Sequence, residues 1–169
     1  MKILVNEDTI SYIGDEILGM SKWKNGVLAK DGNIFACPYS YDKVLEINIQ
    51  EQTTYVYDID SKIEMSQWSG FVESADGVLY GVPFESDLIL VFDPNSKTTM
   101  TVNLDDTIDK AGTKRKWSTG VLGGNGHIYI LPHDEEKVFQ FKPIQLQKKY
   151  IKQSCNVYGM FVNLVLSFH

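Results

Sequence analysis

The chain has 169 residues, of which 43% are hydrophobic and 22% are charged, so it is long enough to bury the core of one domain. The formal net charge of -6 disfavours binding to nucleic acid, because that binding depends on Lys and Arg neutralising phosphates. Cys37 and Cys155 lack the spacing of a disulfide framework or a zinc site. We therefore expect a single domain over residues 1–169 that holds no metal and no cofactor.

The first residues of the chain resemble an outer β-strand. Residues 1–6 are mostly apolar, and Glu7 and Asp8 follow at once, so the apolar centre of a signal peptide is missing and we expect a cytoplasmic protein. Residues 1–6 lie upstream of Trp23 about where an outer strand lies upstream of later tryptophans. We interpret them as a closure strand, which completes a sheet begun by another polypeptide, or else as a solvent-facing start.

The main signal is a pattern that occurs three times. Each copy has a Trp 15 residues before a Pro, with an Asp-Gly or Asn-Gly step and then an aromatic residue between them. The copies start at Trp23, Trp68 and Trp117, and spacings of 45 and 49 residues match the period of a four-stranded propeller blade. We place blade-like repeats at about residues 21–60, 66–104 and 115–150.

Each repeat divides into four short predicted strands. The first follows the Trp, and Asp31, Asp76 or Asn125 then forms a tight turn with the next Gly. The second strand ends at the Pro, which cannot donate to a ladder. The predicted strands are residues 26–29, 34–37, 44–47 and 53–57 in the first repeat, 70–73, 78–82, 88–92 and 98–102 in the second, and 120–123, 127–131 and 138–141 in the third. Residues 146–150 lack a turn before them, so the third outer strand is degraded.

The C-terminal residues 151–169 do not follow the repeat. Residues 157–168 form the most apolar stretch, but they are about half as long as the roughly 20 residues that a membrane-spanning helix needs. We predict a core or edge strand, or a strand that docks on another subunit, and no contact with a membrane. The short basic run at residues 114–116 is predicted to be a solvated loop.

Residues 22–141 resemble the blades of the kelch, NHL and YVTN group of β-propellers, on the strength of these strands and of the turn at Asp93-Pro94-Asn95. The double glycine of kelch blades is missing, because Gly123-Gly124 lies at a different offset from the Trp. The Trp-Asp pair of WD40 repeats is also missing. The resemblance implies an all-β fold built of about three blades of four antiparallel strands. The group includes scaffolds, ligand-binding modules and enzymes, so activity must be argued from the site.

Three blades are too few for a closed propeller, which has about four to eight. An open arc would leave apolar sheet faces in water. A homodimer closing a six-bladed ring, a protein partner that supplies the missing blades, or a longer gene product would each complete the ring.

The order of the strands predicts one edge that is suited to binding. The start of the first strand and the end of the second lie at the same edge of each blade, which we call the rim. Loops on one edge of a rigid sheet are where function is placed, and aromatic residues with a polar surround are typical of protein interfaces. The aromatic rim residues are Trp23, Trp68, Trp117, Tyr39, Phe84 and His133. The charged residues around them include Asp42, Glu85, Asp87, Asp134, Glu135 and Glu136, with Lys22 and Lys116 beside two tryptophans.

These residues predict a non-catalytic binding or scaffold protein, which contacts a protein or a small ligand at the rim or is a structural subunit of a larger assembly. A Trp repeated in every blade is also what packing between neighbouring blades requires, and we favour that structural role for the tryptophans. The alternative function is a lyase or hydrolase in which His133, beside Asp134 and Glu136, is a general base or binds a divalent cation. A solvated acidic loop would explain the same residues, and no Ser-His-Asp spacing or phosphate loop occurs.

Overall fold

The computed structural model describes residues 11–59, 66–104 and 115–143, and all regular elements in these ranges are β-strands. The predictions for residues 1–6, 146–150 and 151–169 lie outside the described residues. The strands are β1 (Trp23–Leu28), β2 (Ile34–Pro38), β3 (Lys43–Asn48), β4 (Thr53–Asp58), β5 (Trp68–Glu73), β6 (Leu79–Pro83), β7 (Leu88–Asp93), β8 (Thr98–Asn103), β9 (Trp117–Leu122), β10 (Ile128–Pro132) and β11 (Phe139–Phe141).

The strands form three antiparallel sheets, one for each predicted repeat. The first sheet has the order β1-β2-β3-β4, the second has β5-β6-β7-β8, and the third has β9-β10-β11 among the described residues. Neighbours in each sheet are also neighbours in sequence, so each sheet is a simple meander. The predicted all-β fold with four-stranded antiparallel sheets is confirmed.

The turns and the register agree with the repeated pattern. Gly32, Gly77 and Gly126 have φ angles of 88°, 88° and 78°, which is the left-handed backbone that these hairpins require. Asn33 donates its N–H to the Asp31 side chain over 2.9 Å, as an Asx turn does. Each Trp then lies opposite the Pro of its own repeat, as Trp23 and Pro38 do. The pairs in the other two sheets are Trp68 with Pro83 and Trp117 with Pro132.

The first strand of each sheet begins earlier than predicted. We expected strands from Gly26, Gly70 and Gly120, but all three begin at the Trp itself. The register shifts between Lys24 and Gly26 in the first sheet and between Trp68 and Phe71 in the second, so bulges accommodate an extra residue while the Trp stays opposite the Pro.

The innermost strands β1, β5 and β9 pack side by side, and the second sheet is buried on both faces. Along β7, Leu90 and Phe92 belong to the core shared with the first sheet, whereas Ile89 and Val91 belong to the core shared with the third. Successive side chains of a strand point to opposite faces, so this alternation means that β7 is covered on both sides. The sheets are therefore stacked around a common inner edge, as neighbouring blades are.

Candidate functional site

A continuous series of backbone hydrogen bonds follows the rim through all three sheets. The residue after each Pro donates to the residue before the Trp of its own sheet, and its carbonyl accepts from the residue before the next Trp. In order, the N–H groups of Tyr39, Gln67, Phe84, Lys116 and His133 donate to the carbonyls of Lys22, Tyr39, Gln67, Phe84 and Lys116, over 2.7 to 2.9 Å. This series fixes the three residues after the prolines at corresponding positions on successive sheets.

The side chains of these three residues form a row, which we call the aromatic row: Tyr39, Phe84 and His133. The Tyr39 and Phe84 ring centroids are 6.0 Å apart, and those of Phe84 and His133 are 5.7 Å apart at 83°. Phe84 is buried in the centre, Tyr39 is half-buried and His133 is exposed. The Lys24 ammonium lies 4.5 Å from the Phe84 centroid and 5.0 Å from that of Tyr39, in the geometry of a cation–π contact.

An acidic segment follows the aromatic row at its exposed end. His133 Nδ1 lies 2.6 Å from the Asp134 carboxylate, and both side chains are nearly half exposed. Glu136 is exposed, and one carboxylate oxygen of Glu135 is buried with no hydrogen-bond partner among the described residues. Within the described ranges, no three His, Cys, Asp or Glu side chains are arranged to hold a metal ion. The segment therefore offers hydrogen-bond acceptors and an imidazole to a ligand from solvent.

The three rim tryptophans do not share one environment. Trp68 and Trp117 are buried between sheets, while Trp23 is half-buried. The indole N–H of Trp23 donates to the Lys43 carbonyl over 2.8 Å, and that of Trp68 donates to the Leu88 carbonyl over 2.8 Å. Trp117 finds no such partner in the described part of the chain. Trp68 and Trp117 therefore pack between sheets, whereas Trp23 contacts Lys43 and Tyr41 of its own sheet. The accessible part of the rim consists of Tyr39, His133 and their charged neighbours.

Lys116 is buried, although the sequence predicted a solvated loop for the basic run at residues 114–116. Its side chain is 5% exposed and its ammonium lies 2.8 Å from the Asp87 carboxylate, whereas Arg115 is exposed. The ion pair offsets the cost of burying the lysine. An acid lies four residues after each of the three prolines, but a Lys precedes only two of the three tryptophans, so the sequence pattern contained only part of the signal for this pair.

A second depression lies at the opposite edge, between the hairpin turns of the first and second sheets. It has a volume of about 290 Å³ and is lined in part by Lys30, Asp31, Glu73 and Asp76. The backbone N–H of Lys30 donates to a Glu73 carboxylate oxygen over 2.9 Å, so this oxygen already has a hydrogen-bond partner.

Neither a protein-family model nor a curated protein sequence matches the chain. Solved structures with similar folds include a catalytically inactive histidine-to-alanine variant of virginiamycin B lyase from Staphylococcus aureus with quinupristin, at 11% identity and a TM-score of 0.55 over 73% of this chain and 42% of that one. Hydrazine synthase from Kuenenia stuttgartiensis has 16% identity and a TM-score of 0.51 over 69% and 33%. The WD40 repeats of RRP9 have 14% identity and a TM-score of 0.46 over 76% and 41%.

The chain spans less than half the length of each of these structures. At such identities the likeness is one of fold, and the sheets are blades of the propeller type. In the ranges that the coordinates describe, no helix is long and apolar enough to cross a membrane.

Proposed function

We propose that the chain is a non-catalytic propeller-type module whose aromatic row binds a basic segment of a partner protein. The observation that carries the proposal is the continuity of the row over three sheets, with Tyr39 and His133 accessible on either side of a buried Phe84. Its finer relation to the kelch, NHL and YVTN group stays a prediction. A role as a scaffold or structural subunit agrees with the same surface.

The charge at the His133 end of the row supports a basic partner, whereas the Lys24 ammonium already lies over Phe84 and Tyr39 at the other end. Asp134 is exposed beside His133, and the chain as a whole carries a net charge of -6. An arginine side chain is suited to this surface, because its planar guanidinium stacks on aromatic rings and pairs with carboxylates through two hydrogen bonds. Complementary charge also accelerates the encounter and disfavours acidic partners.

The rigidity of the row supports binding in a second way. Its backbone positions are held by the rim hydrogen bonds, and Phe84 packs against both of its ring neighbours. A surface that is already ordered loses little conformational entropy when a partner binds.

The test is an array of arginine-containing peptides beside matched peptides in which Glu replaces each Arg. We expect the wild-type protein to bind the basic set, and we expect Tyr39→Ala and Asp134→Asn each to weaken binding about tenfold, as for a residue worth about 1.4 kcal/mol. Tyr55→Ala is the matched control, because Tyr55 is an exposed aromatic residue on the outer strand β4. Equal binding of both peptide sets, or equal loss in the control, would refute the proposal.

A lyase or hydrolase is the second candidate, and the short contact between His133 and Asp134 favours it. Virginiamycin B lyase, which has a similar fold, is catalytically inactive in a histidine-to-alanine variant. Thermal unfolding with and without Mg²⁺, Mn²⁺ or Zn²⁺ tests this candidate, with Asp134→Ala beside the wild type. A metal-dependent rise in Tm that Asp134→Ala abolishes supports it, and the absence of any rise removes the metal-dependent version.

A further inference from the structure

The outward face of the third sheet carries the positions that the first two sheets bury. One such position lies six residues after the Pro of each repeat. Val44 and Ile89 at this position are 0% and 6% exposed, but Val138 in the third repeat is 55% exposed. At the position just before the Pro, Val82 of the second repeat is 1% exposed and Leu131 of the third repeat is 40% exposed. This face therefore has the apolar character of an inter-sheet surface but lacks a covering sheet among the described residues.

The opposite end of the stack has a matching face. In the first sheet, Val27 and Tyr57 pack towards the second sheet, so the neighbours Leu28 and Val56 point away from it. Leu28 is 64% exposed and Val56 is 39% exposed.

Among the described residues, the series of rim hydrogen bonds ends in one unpaired donor and one unpaired acceptor. Each junction between sheets is made by the N–H of the residue before a Trp and the carbonyl of the residue after the preceding Pro: Gln67 to Tyr39, then Lys116 to Phe84. At the two ends of the series, the Lys22 N–H and the His133 carbonyl have no hydrogen-bond partner within the described ranges. They are the donor and the acceptor of one further junction of the same kind.

The two ends of the stack also carry opposite charges at the positions that form an ion pair between the second and third sheets. At the second junction Lys116, which precedes a Trp, pairs with Asp87, which lies four residues after a Pro. Lys22 also precedes a Trp, and Glu136 also lies four residues after a Pro. Glu136 is exposed, and Lys22 is half-buried, with its ammonium 2.8 Å from the Gly19 carbonyl and 5.7 Å from the Trp23 ring centroid but paired with no carboxylate of the described residues.

We propose that a second copy of this chain docks its first sheet on the outward face of the third sheet, with Lys22 of one copy donating its N–H to the His133 carbonyl and its ammonium to Glu136 of the other. A second copy is the occupant because both halves of the junction are on this chain. Two copies of three sheets give six blades, within the range of about four to eight, whereas three copies would exceed it. The contact is head to tail and closes after half a turn per copy.

The solution mass of the full chain is the first test. Sedimentation equilibrium should give twice the 19.2 kDa chain mass for the wild type, and a monomer at about 100 μM would overturn the proposal. Lys22→Glu and Glu136→Lys, each alone, place like charges at both junctions and should shift the mass towards the monomer. Asn95→Glu is the control, because Asn95 is exposed in the turn between β7 and β8 of the second sheet, away from both end faces.

An equimolar mixture of the two single variants gives the sharper result. Each junction between unlike copies again pairs one cation with one anion, so the mixture should recover the dimer mass, as should the double variant. Failure of both to recover it, with circular dichroism spectra like that of the wild type, would overturn the proposal. Tyr39→Ala alters the aromatic row but not this junction, so it should leave the mass unchanged, which separates this test from that of peptide binding.

Discussion

The ammonium of Lys116 lies 2.8 Å from the carboxylate of Asp87, and this ion pair joins the third sheet to the second. The lysine is almost fully buried, whereas the aspartate is about half exposed. A further contact joins the ammonium to the Glu85 carbonyl at 3.5 Å, the upper limit for a hydrogen bond. The pair therefore places one desolvated charge between two sheets.

We expect Asp87→Ala to lower the free energy of unfolding by about 1 to 2 kcal/mol, because it leaves the buried ammonium of Lys116 without its carboxylate. The double variant Asp87→Ala with Lys116→Met should be more stable than the sum of the two single effects predicts, since no charge then remains buried. Urea unfolding of the four proteins measures the coupling. Strict additivity would show that the pair contributes nothing.

Gly81 in β6 is packed against side chains of its own sheet and of the first sheet. A Cβ at this residue would lie 2.9 Å from Leu90 Cβ and 3.3 Å from both Cys37 Sγ and Trp68 Cδ1. Gly81→Ala should therefore destabilise the protein by about 1 to 3 kcal/mol through overpacking. Gly124→Ala is the control, because nothing lies within 4 Å of the Cβ it would add. Equal Tm values for the two variants would contradict this packing.

The Cys37 thiol is fully buried, and burial raises its pKa well above the usual value, opposed in part by a hydrogen bond from the Gly70 backbone. Only the thiolate reacts quickly with disulfide reagents. In a Cys155→Ser background, we expect Cys37 to react with Ellman's reagent only at the rate of unfolding, and to react at once in 6 M urea. Rapid labelling of the native protein, at a rate that does not depend on denaturant, would be inconsistent with this environment.

The pKa of Tyr57 is raised above its ordinary value of about 10, first by burial and then by the hydrogen bond from its hydroxyl to Glu46. Below pH of about 10 both states keep the proton, so the residue adds no pH dependence. Above it the unfolded chain releases the proton while the folded chain retains it, so the free energy of unfolding falls, by at most about 1.4 kcal/mol per pH unit. Urea midpoints between pH 9 and 11 should fall more steeply for the wild type than for Tyr57→Phe, and parallel profiles would refute this.

The repeated geometry was predictable from local chemistry. Asp31 and Gly32 specify a hairpin turn, and the turn fixes the register, so Trp23 and Pro38 had to lie near each other at one edge. The rim positions of Tyr39, Phe84 and His133 follow from that register. Contact between their rings depends on the spacing of the sheets, which no single repeat specifies.

The remaining features depend on contacts between repeats. Lys116 has the sequence context of a solvated residue, and only the approach of Asp87 from the neighbouring sheet makes its burial tolerable. Glu46 is likewise buried, and it accepts hydrogen bonds from Asn33 and Lys97, each over 2.8 Å. Lys97 comes from another sheet, 51 residues away in sequence. A repeat pattern records what the copies share, whereas these contacts occur once each.

The rim hydrogen bonds join main-chain groups only, from Lys22 through to His133. Such a connection tolerates nearly any side chain at its own positions, so Lys, Gln and Lys can precede the three tryptophans without breaking it. Gain or loss of one complete repeat would leave the same donor and acceptor at every remaining boundary. Proteins built in this way can change the number of their blades by gene duplication or deletion without having to evolve a new way of joining them.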